Sequence, residues 1–173
     1  YAVGSTMIRT DPAMLDGRVK IVSSDPHPEM AGRDLDDIAE QWSVAKAEAA
    51  KRLQPGSAVY FLLDEADVQR VLQFDQTMIG SDGIPSRNAP HPRLWGTFPR
   101  VLGHYSRDVG LFPLETAVWK MTGLTAQNFG IKDRGIVAEG KIADLTVFNP
   151  STVRDHADYD HPTETSSGIQ SVL

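Results

Sequence analysis

The amino-acid sequence predicts an α/β fold. Between residues 17 and 82, apolar runs typical of strands alternate with amphipathic helical patterns in the order strand, helix, strand, helix, strand. This order is typical of parallel βαβ units, which occur either in an open sheet or in part of a barrel. The last apolar run stops at Asp82, and parallel sheets bind ligands at the carboxyl ends of their strands. With 173 residues, 40% of them apolar, the chain can bury a core.

The composition of the chain limits the kinds of binding partner and the cellular compartment that we expect. The formal net charge is −6 and no run of Lys or Arg forms a basic stripe, so a small or neutral substrate fits better than nucleic acid or an anionic membrane. The lack of cysteine excludes disulfides and thiolate metal ligands within these residues. No apolar run has the length of a membrane span and no signal peptide is recognisable, so we expect a cytoplasmic protein.

The first elements are a strand and a long helix. Residues 17–24 contain Val19 and Ile21 alternating with basic residues, which predicts a short strand. Residues 34–53 are predicted as one helix, with Asp34 as its N-cap and Pro55-Gly56 as its stop. Its apolar stripe consists of Leu35, Ile38, Trp42 and Ala45.

Two further strands follow, separated by a helix. Residues 58–63 form a uniformly apolar run too short for a helix, which predicts a buried strand. Asp64 is placed to cap the next helix, and residues 77–81 are predicted as another buried strand that ends at Asp82. A carboxylate at this point can belong to a ligand site or can cap a turn, and this stretch alone is compatible with both.

The chain beyond Asp82 is predicted to be helical and then to change character. Residues 83–96 read as a long polar loop of the kind that forms a lid or binding segment. Helices are predicted at residues 97–105, with Pro99 in the first turn, and at 113–121, followed by a helical turn at 125–129. A domain boundary is predicted at residue 133. Beyond it, residues 136–148 resemble a hairpin or consecutive strands, and residues 169–173 a last strand.

A set of motifs occurs in order along most of residues 1–150. Its segments are Tyr1-Ala2-Val3-Gly4-Ser5-Thr6, Gly80-Ser81-Asp82-Gly83, His91-Pro92-Arg93-Leu94-Trp95-Gly96-Thr97-Phe98-Pro99-Arg100-Val101-Leu102-Gly103, Lys120-Met121-Thr122-Gly123 and Gly140-Lys141-Ile142-Ala143-Asp144-Leu145-Thr146-Val147-Phe148. A lone Ser-Asp-Gly would be a weak signal, but the same tripeptide followed at the right distance by Trp-Gly-Thr-Phe-Pro-Arg is specific. Together these segments resemble the C-terminal part of the N-acyl-D-amino-acid deacylases, or D-aminoacylases, of the amidohydrolase superfamily.

The resemblance implies the C-terminal part of a (β/α)8 barrel with strands of a small β-sandwich, and a zinc-dependent hydrolysis of an amide bond. Residues 1–132 would belong to the catalytic barrel and residues 133–173 to the sandwich strands and tail. Asp82 corresponds to the acid that contacts the metal and acts as general base, while Arg93 and Ser5 correspond to groups that hold the substrate α-carboxylate. A guanidinium is well suited to that task because it can bind a carboxylate through two hydrogen bonds.

The chain departs from the family pattern in its metal ligands. The family's ligating histidines and cysteine fall in a part of the sequence that is absent here, and neither an HxH pair nor a helical His-x3-His spacing is present. We therefore do not expect His91, His104, His156 or His161 to bind the metal. The chain, which starts at Tyr1 inside a motif, reads as a fragment or a processed chain. Part of a barrel leaves open strand edges, so we expect activity only together with the missing N-terminal half, covalently or as a second chain.

Two alternatives remain at the level of sequence. One is another amidohydrolase that acts on cyclic amides, similar to dihydroorotases or hydantoinases, which share the acid and the Ala-Asp-Leu-Thr-Val-Phe ending. Arg93 favours the deacylases, because a carboxylate clamp suits N-acyl amino acids. The other alternative is a non-catalytic fragment or scaffold subunit in which Asp82 only caps a turn, and the retained Trp95–Arg100 motif argues against it.

Overall fold

The fold is taken from a computed structural model that describes residues 3–85 and 90–173. The chain divides into two compact units, Tyr1–Val68 with Ile84–His91 and Gln69–Gly83 with Pro92–Leu173. Within the described residues, no helix is both long enough and apolar enough to cross a membrane.

The first unit combines three strands with short helices. In chain order its elements are strand β1 (Val3–Ser5), helix α1 (Pro12–Leu15), strand β2 (Val19–Ser24), a 3₁₀ turn (Pro28–Met30), helix α2 (Leu35–Gln41), helix α3 (Lys46–Arg52) and strand β3 (Gly56–Tyr60). Helix α4 (Glu65–Gln73) contains the point at which this unit ends. Its predicted cap is confirmed, since the amide of Ala66 donates to the Asp64 carboxylate at 2.8 Å.

The sheet of the first unit is antiparallel, so the predicted parallel βαβ arrangement is wrong for these strands. β3 lies between β1 and β2 and pairs antiparallel with both, Val3 and Val19 each facing Tyr60. A parallel pair is joined by a crossover, usually a single helix, whereas a 3₁₀ turn and two short helices, α2 and α3, lie between β2 and β3.

The predicted single helix over residues 34–53 is two helices, α2 and α3. The break follows Trp42, where Ser43 adopts a left-handed φ of 53°. Asp34 precedes α2 as predicted, but its carboxylate accepts from the Arg18 guanidinium at 3.0 Å instead of from a helix amide. The two helices pack their apolar faces on the sheet. The buried core of the unit includes Leu35, Ile38, Ala49, Ala50 and Leu53 together with Val19, Ile21 and Tyr60.

The second unit is mostly helical. Its elements are helix α5 (Arg93–Arg100), a π-helix (Val101–Asp108), helix α6 (Leu114–Met121), helix α7 (Gly123–Asn128) and the antiparallel strands β4 (Thr146–Phe148) and β5 (Ile169–Val172). The helix predicted at residues 113–121 and the last strand are confirmed. The predicted hairpin over residues 136–148 is wrong, because β4 pairs with β5 and Val137 is 89% exposed, without the half-buried surface that strands need.

Helix α5 begins four residues before the predicted start, so Pro99 lies in its interior. A proline has no N–H to donate to the carbonyl four residues before it, which is that of Trp95. The Ser166 hydroxyl donates to this Trp95 carbonyl at 3.3 Å and so replaces the missing partner. A π-helix follows at once, with the amide of Val109 donating to the carbonyl of His104. The tail of the chain therefore supports the Trp95–Arg100 motif.

Candidate active site around Asp82

The segment that leads to Asp82 is not a strand. Residues 77–82 have no strand partner among the described residues, which corrects the predicted strand at 77–81. The amide of Ile79 instead donates to the carbonyl of Lys120, at the end of α6, at 3.1 Å. A hydrogen bond to a helix end thus takes the place of a sheet ladder and fixes the segment three residues before Asp82.

Asp82 itself occupies an unusual backbone conformation. Its φ is 46°, in the left-handed region that Asp adopts more readily than most residues. The following amide, that of Gly83, donates to the Ser81 hydroxyl at 3.3 Å. A Cβ on Gly83 would lie 2.7 Å from a Leu94 methyl carbon, so only glycine allows this close approach. The Asp82 side chain is 78% exposed and its carboxylate is open to solvent on one side.

Arg93 holds Asp82 by two contacts. Arg93 is the first residue of α5, and its side chain is only 15% exposed. Its Nη2 lies 2.5 Å from Oδ2 of Asp82, and its Nε donates to the Asp82 main-chain carbonyl at 2.9 Å. The structure therefore brings together two of the three residues predicted for the site.

Ser5, the third predicted residue, belongs to the first unit, whereas Asp82 and Arg93 belong to the second. Its backbone lies in β1 opposite Ala58. The Ser5 side chain lies outside the part of the structure that is described. Its contact with a substrate stays a prediction.

The described residues do not make a metal site on their own. Across residues 3–85 and 90–173, no group of three or more His, Asp or Glu side chains converges closely enough to hold an ion. His156 shares a hydrogen bond with the Ser167 hydroxyl, and the ring of His104 packs edge-on against Tyr105. The carboxylate of Asp82 is suited to be one oxygen ligand, but a tetrahedral zinc needs three or four. The remaining ligands would have to come from outside this chain.

Helix α5, which carries Arg93, is anchored by the tail of the chain. Nη1 of Arg100 lies 3.2 Å from the Asp155 carboxylate. Burial alone would lower the pKa of Arg100, but the attraction and hydrogen bonding of Asp155 and Tyr105 together outweigh it and raise that pKa. The Gly96 backbone packs against the Asp155 side chain in the same contact. The helix that presents Arg93 is thus held at its far end by a charged pair.

Lys120 is a residue that the sequence analysis did not single out beyond its motif. Its side chain is 1% exposed, and Nζ donates to the carbonyls of Phe74 and Thr77 at 2.6 and 3.3 Å. Burial lowers its pKa, opposed by the attraction of Asp75. A signal was present, because Lys120 lies three residues after the buried Ala117 and therefore on the inner face of α6.

Comparisons with known proteins agree on one family. The model of the family described as "Amidohydrolase family" matches residues 26–172. A D-aminoacylase of Alcaligenes xylosoxydans xylosoxydans is 58% identical over 172 residues, which are 99% of this chain and 36% of that protein.

Solved structures give the same result. A D-aminoacylase described with a binuclear metal centre has a TM-score of 0.95 and 57% identity, covering 99% of this chain and 36% of its own. An N-acyl-D-glutamate deacylase from Bordetella bronchiseptica, complexed with zinc and a phosphonate that mimics the tetrahedral intermediate, has a TM-score of 0.96 and 45% identity, with the same coverage. The chain thus spans about a third of the length of the relatives that it matches.

Proposed function

The chain belongs to the amidohydrolase family, and we propose that it is part of a metal-dependent enzyme that hydrolyses the amide bond of N-acyl-D-amino acids. The products would be a carboxylate and a free D-amino acid. The observation that carries the proposal is the pairing of Asp82 with Arg93, in a chain 58% identical to a D-aminoacylase. Because the chain spans 36% of that relative, the activity would belong to it together with the missing N-terminal half of the barrel, covalently joined or supplied as a second chain.

The fold of that complete enzyme would be a (β/α)8 barrel with a small β-sandwich. Residues 1–132 would contribute the C-terminal part of the barrel, and residues 133–173 the sandwich strands and tail. The likeness to the solved deacylases supports an amidohydrolase fold for the complete enzyme. A cytoplasmic location stays a prediction from the sequence.

We propose that Asp82 acts first as the general base and then as the general acid of the hydrolysis. Its carboxylate would accept a proton from the attacking water while the water oxygen bonds to the acyl carbon. The same carboxyl would then deliver that proton to the amide nitrogen as the carbon–nitrogen bond breaks. The 78% exposed side chain supports the role, since a buried carboxylate could not meet both water and leaving amine.

Arg93 would bind the α-carboxylate of the substrate, while the same role for Ser5 stays a prediction from the resemblance. A guanidinium has five N–H donors in a planar fork, so Arg93 can keep its contacts with Asp82 and still reach a second carboxylate. The distance of 2.5 Å between Nη2 of Arg93 and Oδ2 of Asp82 supports the idea that both act in one site. The substrate would then bind with its carboxylate next to the proton carrier.

The metal that we propose is Zn²⁺, with Asp82 as the ligand from this chain. When bound, such an ion lowers the pKa of a coordinated water towards 7. The other ligands would come from the remaining part of the barrel.

The test is a chimera in which this chain replaces the matching segment of the Alcaligenes D-aminoacylase and is joined to the N-terminal part of that protein. This chimera is the complete enzyme in the experiments below. With zinc present, we expect release of amine from N-acetyl-D-leucine at a rate on the order of a hundredfold above that from N-acetyl-L-leucine. A chelator should abolish this activity and added Zn²⁺ should restore it. A folded, zinc-loaded protein that leaves N-acetyl-D-amino acids intact would refute the proposal.

A further inference from the structure

The ammonium group of Lys120 is placed at the start of the segment that carries Asp82. Nζ donates to the carbonyl of Phe74, which directly follows the last residue of α4, and to that of Thr77, which lies four residues beyond it. A cation near the C-terminal end of a helix is favoured by the helix dipole. The main chain of Lys120 adds a third contact, since its carbonyl accepts from the amide of Ile79 at 3.1 Å.

The segment of residues 74–82 is therefore held at both ends within the second unit. Lys120 binds its beginning at Phe74, Thr77 and Ile79, whereas Arg93 binds its end at the carbonyl and carboxylate of Asp82. Between these two contacts, Gly80 and Ser81 pair with no strand of the described residues. The position of the Asp82 carboxylate thus depends on both ends.

A packing role alone does not explain a lysine at this place. An ammonium that is 1% exposed loses its hydration, and a buried charge is tolerated only when hydrogen bonds compensate for that loss. The backbone carbonyls provide this compensation, and the lowered pKa of Lys120 shows that burial still disfavours the charge. An apolar side chain of the same length would fill the space without this penalty.

We propose that Lys120 is a positioning residue, whose ammonium group fixes the segment of residues 74–82 and thereby holds the Asp82 carboxylate in its reactive place. The catalytic part of this inference rests on the proposed function. Lys120 does not touch the reacting atoms and acts only through the segment.

The test replaces Lys120 by methionine in the complete enzyme. Lys120→Met keeps most of the apolar length of the side chain but removes the ammonium. We expect kcat for N-acetyl-D-leucine to fall by about tenfold or more, because small displacements of a catalytic group have effects of this size. KM should stay within about threefold, since the contacts of Arg93 with the substrate are not altered. The matched control is Lys132→Ala, an exposed lysine of the same unit, which should leave both constants unchanged.

Hydrogen exchange gives a readout that does not require activity. In Lys120→Met the amides of Thr77 and Ile79 should exchange at least about tenfold faster than in the unsubstituted protein, while those of α5 should not change. An inactive complete enzyme with this exchange pattern would refute the proposed function but support the positioning of the segment. A folded Lys120→Met variant with unchanged exchange at these amides, or with unchanged kcat, would overturn the inference.

Two further measurements keep the inference testable if Lys120→Met does not fold. Lys120→Arg retains a cationic donor and should restore slow exchange of residues 77–79 and most of kcat. Lys120→Ala should regain activity with propylammonium, which can enter the cavity of about 320 Å³ beside Lys120, but not with propanol. A folded Lys120→Arg variant with fast exchange and normal kcat, or equal effects of propylammonium and propanol, would contradict the role of the charge.

Discussion

A single arginine accounts for the conformation of the candidate catalytic acid. The φ of 46° at Asp82 is costly for most residues, and such conformations persist only when neighbouring contacts enforce them. Nε of Arg93 enforces it from the main-chain side, since it binds the Asp82 carbonyl, while Nη2 binds the carboxylate. One side chain thus fixes both the direction of the backbone and the position of the acid.

Asp82→Asn tests the acid directly in the complete enzyme. The amide has nearly the same shape but cannot accept a proton, so we expect kcat to fall by on the order of a hundredfold or more with little change in the unfolding midpoint. Steady-state kinetics and thermal unfolding measure the two effects. Asp16→Asn, an exposed acid of the first unit, is the control and should have neither effect. Near-normal turnover of Asp82→Asn would remove this residue from the mechanism.

Arg93→Ala should have two separable effects, because Arg93 contacts Asp82 and is proposed to bind the substrate carboxylate. For substrates with a free α-carboxylate we expect KM to rise by about ten- to a hundredfold, the value of a hydrogen bond to a charged group. The corresponding primary amides should show almost no change in KM. A fall in kcat should appear for both, since Asp82 loses its partner. Equal changes of KM on acids and amides would dismiss the carboxylate clamp.

The sequence proposes Asp82 and Arg93 as site residues but does not predict their pairing. Both residues were proposed because they lie in motifs that resemble those of the deacylases, and the structure places Nη2 of Arg93 2.5 Å from Oδ2 of Asp82. Lys120 was missed because a lysine in an amphipathic helix normally lies on the solvated face. The carbonyls that it binds, at Phe74 and Thr77, are more than forty residues away in sequence, and no local pattern could reveal them.

Among the secondary-structure elements, the hydrophobic patterns predicted the positions of the helices more accurately than the pairing of the strands. Helices α4 and α6 appear close to their predicted residues, because their apolar spacing and their caps are local signals. The antiparallel pairing of β2 and β3 joins residues far apart in sequence, and the helical pattern between them is divided at Ser43. A left-handed residue within a continuous apolar stripe is not visible in the pattern.

The π-helix provides an element-level prediction about packing. A Cβ on Gly103 would lie 2.4 Å from the main-chain carbonyl oxygen of Val153, which also accepts from Arg107 at 2.7 Å. Because that neighbour is backbone, Gly103→Ala should lower the free energy of unfolding of the complete enzyme by about 1–3 kcal/mol, as overpacking does. Denaturant unfolding measures it. Gly80→Ala, where a Cβ meets nothing within 4 Å, should change stability by less than about 0.5 kcal/mol. Equal effects of both substitutions would contradict the prediction.

The end of the π-helix should respond to acid. The hydrogen bond from the Arg107 guanidinium, and to a lesser extent Arg154, lowers the pKa of Asp108 below its ordinary value. A lowered pKa in the folded state means stability that is present above pH 3.8 and is lost as the pH falls through the folded value. Asp108→Asn should therefore reduce stability at neutral pH, and this loss should shrink as the pH falls below 3.8, measured by thermal unfolding. An equal loss above and below pH 3.8 would exclude the ion pairs as the cause.

At the scale of the whole molecule, the exposed apolar side chains are consistent with a chain that covers 36% of its relatives. Soluble monomers seldom expose many large apolar groups. Several such side chains of the second unit are at least 70% exposed, namely Phe129, Val137, Val172 and Leu173. The remaining part of the barrel and sandwich is the proposed cover for them.

The chain produced alone should therefore bind a hydrophobic dye and self-associate, as measured by fluorescence and light scattering. Joining it to the remaining part of the barrel should lower the dye signal per molecule several-fold, because that surface becomes buried. The control is the Alcaligenes D-aminoacylase itself, which should bind little dye. A monodisperse chain with no dye binding would show that these side chains need no cover.

The location of Asp82 and Arg93 in one compact unit, eleven residues apart in sequence, has a consequence for the divergence of these enzymes. A genetic exchange that moves this block between relatives would carry the proposed proton carrier, Asp82, and the proposed carboxylate anchor, Arg93, together. Recombination could then alter the groups that recognise the acyl chain or the amino-acid side chain while the reaction itself is inherited intact. Such a modular inheritance would allow new substrate preferences to arise without a loss of turnover.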